Sequence, residues 1–271
     1  MRPWVVLLVL LVVMPARANE VTLTGPMVQG GLVTGRAPAG TRVVFDGRSL
    51  RVGEDGIFLL GFGRDTRRAS LDLSFPDGRS ETRTLTIGKR DWLIQRVDGL
   101  PQQTVTPDEG ELQRIRDDAA LAAEARKRDS AEPLFGVGFI WPVTGPVSGV
   151  YGSQRILNGQ PRTPHYGVDI AVPTGTPVKA AADGVASLVH PDMFLTGQTV
   201  ILDHGFGLST VYVHMSAIAL TPGQRVKQGE VIGKVGATGR ATGPHLHWGM
   251  NLFDIRLDPA LLVPPMPKPG G

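Results

Sequence analysis

Short runs in which apolar and polar positions alternate dominate the chain between residues 19 and 90. A period of two places the apolar side chains of a strand on one face. Turn-forming pairs and triplets separate the runs, as they do between the strands of hairpins. The pattern predicts a small N-terminal β-sandwich-like module at 19–90. Its strands are expected at 21–24, 42–45, 57–62, 71–75 and 82–87, and its turns at 46–47, 55–56 and 76–78.

One helix is predicted in the linker at 91–133. Thr106 as N-cap, Pro107 at the first helical position and Glu109 at the third fit a capping box. The basic run 126–128 complements the negative end of the helix dipole. The apolar stripe is thin, and consists of Leu112, Ile115, Ala119 and Ala122. Because so polar a helix gains little stability alone, we expect it to pack on a neighbouring domain; a solvated spacer is the alternative.

A second β-rich domain is predicted at 134–262, where glycine and proline separate short apolar runs and long helical periodicity is absent. The fold class is therefore mainly β, with an antiparallel sheet in this domain. Residues 263–271, rich in proline and glycine, are expected to form a disordered tail. The strands of the second domain are expected at 184–190, 199–203, 208–214, 231–235 and 245–250.

The first 18 residues have the composition of an export signal. Arg2 precedes an apolar run that is shorter than the ~20 residues of a membrane span, and Ala16-Arg17-Ala18 fits a signal-peptidase site. The sequence thus predicts an exported, periplasmic protein with no stable membrane anchor after signal removal. The chain has no cysteine, which excludes disulfides and thiolate chemistry. Its net charge of +3 includes Arg2 and Arg17, so the mature chain is nearly neutral and no nucleic-acid partner is indicated.

The candidate chemistry lies in the second domain, which holds all six histidines. His245 and His247 share a face if their segment is extended, and His165 and Asp169 form a second spaced pair around Gly167, which is interpreted as a turn former. Imidazoles and carboxylates are the nitrogen and oxygen ligands that zinc accepts. Three protein ligands leave one coordination position open for water, which is typical of catalytic zinc sites.

Other polar residues of the domain are candidates for supporting roles. Thr210, Tyr212 and His214 are expected on one side of a strand, so Tyr212 could line a cleft or be half-buried. His204 is interpreted as a structural histidine, and His190 as a solvent-exposed loop residue. Arg240 could bind a substrate carboxylate, although a solvated loop arginine is the simpler interpretation.

Several short motifs together resemble a known family. They are Pro164-His165-Tyr166-Gly167-Val168-Asp169-Ile170, Pro173-Thr174-Gly175-Thr176-Pro177-Val178, Asp203-His204-Gly205, Tyr212-Val213-His214, Gly236-Ala237-Thr238-Gly239 and Gly243-Pro244-His245-Leu246-His247. With these, residues 139–260 resemble the lysostaphin-type (LytM-like) zinc endopeptidases, which cut peptide bonds of peptidoglycan. The resemblance implies that 134–262 is a zinc peptidase domain with a groove.

The resemblance also implies a role for five residues. His165, Asp169 and His247 match the family's metal ligands for Zn²⁺, and His214 and His245 match its two catalytic histidines. All five are present, whereas non-catalytic members of the family typically lack ligands. His245 is preferred as the base for the water proton and His214 as the group that stabilises the oxyanion or protonates the leaving amine, although the two assignments could be exchanged.

We therefore expect an exported zinc metalloendopeptidase that acts on peptidoglycan stem peptides, with a D,D-endopeptidase favoured. A non-catalytic, peptidoglycan-binding regulator of another wall hydrolase is the alternative. A zinc hydrolase of a non-wall peptide is a second rival.

Overall fold

The computed structural model describes residues 20–97 and 108–267. The predicted signal peptide, the predicted cap residues Thr106 and Pro107, and residues 268–271 lie outside this part of the chain. Among the described residues, no helix has the length and apolar character needed to cross a membrane.

The N-terminal part is a β-sandwich of two antiparallel sheets with a shared core. Strands β1, β2 and β5 form one sheet, and β4, β3, β6 and β7, in that order, form the other. Phe58, Phe62 and Leu71 are among the fully buried side chains between them. The strand bounds are β1 Thr22–Thr24, β2 Leu32–Arg36, β3 Arg42–Phe45, β4 Arg48–Leu50, β5 Ile57–Gly61, β6 Arg68–Ser74 and β7 Ser80–Thr86.

Local chemistry explains both an expected turn and a strand that was not predicted. Asp46 and Gly47 have φ of 44° and 82°, the backbone of a tight two-residue hairpin turn, and they join β3 to β4. Strand β2, which was not predicted, lies in a glycine-rich stretch of the chain. Gly35 is needed there because a Cβ would lie 2.1 Å from the Phe58 ring of the neighbouring strand.

The segment 91–133 contains a strand as well as the predicted helix. Strand β8, Ile94–Val97, pairs in parallel with β10, Gln154–Leu157, which in turn pairs with β11, Gln160–Pro161. Helix α1 spans Glu109–Arg126. Its N-cap is Asp108, which corrects the predicted capping box: the Asp108 carboxylate accepts from the Glu111 N–H, and the Glu111 carboxylate accepts from the Asp108 N–H.

The helix packs on the C-terminal sheet, as expected from its thin apolar stripe. Ala122 and the buried Ala125 contact Ile201, Val211 and Val213. At the middle of the helix, the Asp118 carboxylate accepts from the Phe194 N–H at 2.6 Å. Small side chains thus allow the helix backbone to approach the sheet closely, and a polar contact holds its middle.

The C-terminal part is a ten-stranded sheet in which all neighbours are antiparallel. Its main path runs β17-β14-β15-β16-β19-β12-β9; β18 pairs with β13 and β16, and β20 pairs with β19. Every predicted strand is present, with ends shifted by at most four residues. The bounds are β9 Val147–Gly149, β12 Val168–Ile170, β13 Pro177–Lys179, β14 Gly184–Met193, β15 Gly197–Gly205, β16 Leu208–Ile218, β17 Arg225–Val226, β18 Val231–Val235, β19 Leu246–Leu252 and β20 Ile255–Leu257, with 3₁₀ turns at Leu134–Val137 and Pro259–Leu262.

Packing joins the two parts of the chain into one body. Leu32 and Leu59 of the sandwich share an apolar cluster with Leu208, Leu252 and Leu257 of the large sheet. The Arg90 guanidinium also donates to the Asp258 carboxylate at 2.8 Å, and Asp258 is only 4% exposed. The N-terminal sandwich is therefore fixed to the sheet by both apolar contacts and a buried ion pair.

The start of the expected disordered tail is packed. The Pro264 carbonyl accepts a 2.7 Å hydrogen bond from the Trp141 indole, and Met266 lies against the main core. The hydrogen bond from Trp141 and the apolar contact of Met266 thus hold this part of the tail against the core.

Candidate metal centre

Three side chains from two strands and a loop converge on one point of the sheet surface. His165 lies in the loop before β12, Asp169 lies in β12, and His247 lies directly opposite Asp169 on β19. His165 Nε2 is 3.0 Å from Asp169 Oδ1 and 2.9 Å from His247 Nδ1, and His247 Nδ1 is 2.8 Å from Asp169 Oδ1. The three donor atoms thus form a compact triangle of two nitrogens and one oxygen.

The chemistry and size of this triangle fit zinc. Zinc binds imidazole nitrogen and carboxylate oxygen at ~2.0–2.2 Å, so tetrahedral ligand atoms lie ~3.3 Å apart. The observed separations are a few tenths of an ångström shorter, and a small outward movement of the rings would accommodate the ion. Three ligands would leave one position for water or substrate. The side chains are 18–24% exposed, so the point is reachable from solvent.

Two glycines provide the room for the ligands. A Cβ on Gly149 would lie 2.3 Å from Asp169 Oδ2, and one on Gly167 would lie 2.7 Å from His247 Nε2. Gly167 is absent from the positive-φ glycines, so its importance is close approach rather than the turn expected from the sequence. In addition, the Val150 carbonyl accepts a 3.1 Å hydrogen bond from His165 Nδ1, which orients Nε2 toward the triangle.

The electrostatics of the triangle favour an ionised carboxylate. Burial opposes ionisation of Asp169, but hydrogen bonds from His165 and His247 outweigh it and hold the pKa of Asp169 well below its usual range. Burial also opposes the charge of His165, yet the bond to Asp169 raises the pKa of His165 overall. For His247 burial prevails and lowers its pKa. The site therefore supplies a carboxylate and at least one neutral imidazole, which are the forms that bind a metal.

His214 and His245 lie beside this triangle. Their ring centroids are 4.7 Å apart, and His245 Nε2 is 3.9 Å from Asp169 Oδ1. His214 Nδ1 donates to the Thr238 carbonyl at 2.8 Å, and His245 Nδ1 donates to the Gly243 carbonyl at 2.9 Å. Donation from Nδ1 leaves Nε2 of each neutral ring with a lone pair that can accept a proton.

His214 reaches the metal side through a distortion of β16, which corrects the expected alternation. Tyr212 and Met215 both face the main core, and Val213 pairs with His247 on the other face. Regular alternation would turn His214 into the core, but its φ of 62° and the register shift that follows turn its ring toward His245. A left-handed non-glycine residue is costly, and such strain is typical of functional sites.

Burial determines the protonation state of His214. It lowers the pKa of the ring to about 4, although the hydrogen bond to the Thr238 carbonyl opposes the shift. The ring is therefore neutral at pH 7, and because this pKa lies well below 7 the ring is a weak base. The Thr238 and Gly243 carbonyls were not identified from the sequence as the groups that orient His214 and His245. Both carbonyls lie within motifs that were identified from it, at 236–239 and 243–247.

The other candidate residues lie elsewhere. Tyr212 is fully buried rather than in a cleft, and its hydroxyl accepts from the Ala181 N–H at 3.0 Å. His204 is buried, with Nδ1 bonded to the Asp183 carbonyl and Nε2 to the Thr210 hydroxyl, which confirms a structural role. His190 is half-buried within β14 rather than exposed in a loop, because the strand continues past it to Met193. Arg240 is exposed.

Comparison with known proteins agrees with this geometry. Residues 163–259 match the description Peptidase family M23. Over 104 residues, 38% of the chain, it is 42% identical to the DD-carboxypeptidase/endopeptidase Mpg of Neisseria meningitidis serogroup B. Over 87 residues, 31% of the chain, it is 46% identical to the peptidoglycan DD-endopeptidase ShyA of Vibrio cholerae. The matches span only 24% of Mpg and 20% of ShyA.

A solved structure extends the likeness beyond the metal centre. The crystal structure of an M23 peptidase from Pseudomonas aeruginosa is 34% identical to this chain, with a TM-score of 0.66. The alignment covers 86% of this chain and 93% of that one, so it reaches into the N-terminal part of the chain as well as the sheet. The histidine motifs, the antiparallel sheet and this coverage lead to one assignment: the chain belongs to peptidase family M23.

Proposed function

We propose that this protein is an exported zinc metalloendopeptidase that hydrolyses peptide cross-links of peptidoglycan. The observation that carries the proposal is the meeting of His165, Asp169 and His247 donor atoms within 3.0 Å of one another beside two further imidazoles. This arrangement combines a three-ligand site with proton acceptors, which is what metal-assisted hydrolysis requires.

The proposed mechanism assigns a task to each side chain. Zinc, held by His165, Asp169 and His247, would polarise the scissile carbonyl and lower the pKa of a bound water. His245 lies nearest to the ligands, and its free Nε2 accepts the proton of the attacking water. His214, whose Nδ1 donates to the Thr238 carbonyl, carries no proton on Nε2 while it is neutral. It takes up a proton at Nε2 first, and the imidazolium then hydrogen-bonds the developing oxyanion or passes that proton to the leaving amine. Positioned proton transfer of this kind contributes ~10²–10⁴-fold to a rate.

The substrate assignment draws on the relatives. ShyA is named a peptidoglycan DD-endopeptidase, and Mpg is named a DD-carboxypeptidase/endopeptidase. We therefore favour a D,D-endopeptidase for this protein, acting on cross-linked stem peptides outside the cytoplasm.

Digestion of purified peptidoglycan by the protein without residues 1–18, with mass spectrometry of the products, tests the proposal. New monomeric stem peptides from cross-linked dimers are expected, and the mass of the new ends identifies the bond. His247→Ala should lose both zinc and activity. His214→Ala and His245→Ala should lose activity but keep most of the zinc, and His190→Gln, a histidine outside the site, serves as the matched control.

The alternative from sequence, a non-catalytic regulator, predicts a different result. Wild-type protein with bound zinc would then bind peptidoglycan and release no products. A fully active His214→Ala variant would instead refute the role given to His214 and leave the metal-centred part of the mechanism in place.

A further inference from the structure

A pocket of about 430 Å³ lies where the sandwich, helix α1 and the large sheet meet. Its volume falls within the ~300–1,000 Å³ typical of small-ligand sites. Arg48 comes from the sandwich and Arg126 from the last turn of the helix, while Asn251 and Arg256 come from β19 and β20. The remaining lining residues are Ala123, Lys127, Phe253 and Asp254.

Two of the arginines in this pocket have no acidic partner. Among the described residues, neither Arg126 nor Arg256 forms an ion pair, whereas Arg48 pairs with Asp254 at 2.6 Å and Lys127 pairs with Glu124 at 2.7 Å. The charges at the rim are thus compensated and the two inner charges are not. Burial, and then the positive charge of Arg256, lower the pKa of Arg126 to about 9, so an anion between the two guanidinium groups would be strongly favoured.

Buried hydrogen-bond donors in the same place also lack partners. Within residues 20–97 and 108–267, Arg126 Nε and Asn251 Nδ2 are both buried without a hydrogen-bond partner, and Asn251 is only 1% exposed. Ser209 lies directly opposite Asn251 on β16, and in the described part of the chain its buried hydroxyl also has no hydrogen-bond partner. A buried polar group without a hydrogen bond lowers the stability of the fold, so a ligand that accepts hydrogen bonds from several such donors is stabilised here. An oxyanion is an acceptor only, and it suits this set.

The register of the sheet places this pocket on the face that carries the metal centre. His247, Gly249 and Asn251 alternate along β19 and so point to one side, and Arg256 lies opposite Asn251. From His247 to Asn251 is four residues, about 13 Å at ~3.3 Å per residue. Gly249 lies between them and is buried, and a Cβ on it would lie 2.9 Å from the Tyr166 carbonyl oxygen. A peptide that reaches both places therefore has to pass over the loop that carries His165 and Tyr166.

We propose that the pocket formed by Arg126, Asn251 and Arg256 is a carboxylate-binding subsite for the peptide substrate, about 13 Å from the metal centre along β19. This inference rests on the proposed function for the identity of the ligand. Arg126 and Arg256 supply charged donors, and the Asn251 amide supplies a third. A free inorganic anion such as phosphate shares this chemistry, so the experiment must separate the two sources.

Binding is measured first, without any need for hydrolysis. Isothermal titration of the full chain uses three probes: an uncross-linked stem tetrapeptide as the free acid, the same peptide with its carboxylates amidated, and inorganic phosphate. The free acid should bind, and amidation should weaken it about tenfold or more, the loss expected for a charged hydrogen bond. Arg126→Gln should weaken the free acid equally and leave the amide unchanged. Arg116→Gln, an exposed arginine on the same helix, is the matched control.

The kinetics of cross-linked peptides then provide a double-mutant cycle, in which Arg126→Gln is the change in the enzyme and amidation is the change in the substrate. Arg126→Gln and amidation should each lower kcat/KM about tenfold, chiefly through KM, and together no further, because both remove one interaction. If Arg126→Gln fails to fold, Asn251→Asp replaces it. The new carboxylate should occupy the arginines, raise the melting temperature and abolish binding of the free acid.

The outcomes distinguish this inference from the proposed function. Arg126-dependent binding of the free acid without any hydrolysis would support the subsite and refute the endopeptidase proposal. Equal binding of acid and amide, with phosphate binding that depends on Arg126, would assign the pocket to a free anion and overturn the subsite. Identical behaviour of Arg126→Gln and Arg116→Gln with every probe would also overturn it, even in an active enzyme.

Discussion

Gly167→Ala should damage the metal centre while leaving most of the fold intact. The added Cβ would lie 2.7 Å from both Cε1 and Nε2 of His247 and 2.6 Å from the Trp248 carbonyl. Ordinary contact begins at 3.4 Å, so the overlap with the ring is about 0.7 Å. Trp248 is held by its pairing with Val168, so the imidazole is the group that must move.

The size of this movement sets the expected effect. Metal–ligand distances tolerate changes of about 0.2 Å, several times less than the shift required of His247. We expect zinc affinity to fall at least ~10–100-fold, the range found when the support of a ligand is disturbed, and overpacking to cost ~1–3 kcal/mol of stability.

Competition for zinc against a chelator of known affinity measures the first effect, and thermal unfolding of the metal-free protein measures the second. Gly136→Ala is the matched control, because a Cβ there meets nothing within 4 Å and its φ is not positive. A folded Gly167→Ala variant that binds zinc within twofold of the wild type would refute the close-approach reasoning.

Three further predictions concern the scaffold. Burial lowers the pKa of His204 to about 4 from 6.5, so the unfolded chain takes up a proton more readily, and stability should fall by about 3 kcal/mol as pH drops from 6.5 to 4. The free energy of unfolding, measured with urea at several pH values in this range, should change less with pH in His204→Gln than in the wild type. An equal pH dependence of the two proteins would contradict the assignment. Arg90→Met should cost about 1.5–3 kcal/mol in guanidinium unfolding because it leaves the Asp258 charge buried without its cation, and a neutral result would mean that solvent reaches that carboxylate. Leu59→Ala should cost ~2–5 kcal/mol, and calorimetry of the wild type should show one transition, because Leu59 belongs to the cluster that joins sandwich and sheet; an independent transition of the sandwich would argue against that coupling.

Several features follow from nearest-neighbour chemistry, and these were predictable from the sequence. The strands follow a period of two, and the Asp46-Gly47 turn needs two residues that accept positive φ. The His-x-His spacing and the His165–Asp169 pair depend on the geometry of short extended segments, so their residue types already indicated a nitrogen and oxygen site. Because the chain has no cysteine, any zinc site had to use nitrogen and oxygen ligands.

Features that depend on contacts between distant segments required the tertiary structure. Gly35 is compatible with a strand only because Phe58 fills the space above it, and Gly167 is needed only because His247, eighty residues away, packs on it. His214 faces the site through a backbone bulge that no alternation rule contains.

The apposition of Arg126 and Arg256 arises when the helix docks on the sheet. Sequence by itself determined which residues could do the chemistry and which segments would be extended, because those properties lie within a few residues of chain. Only the tertiary structure decided which groups meet, which are buried and which remain unpaired, because those properties come from long-range packing.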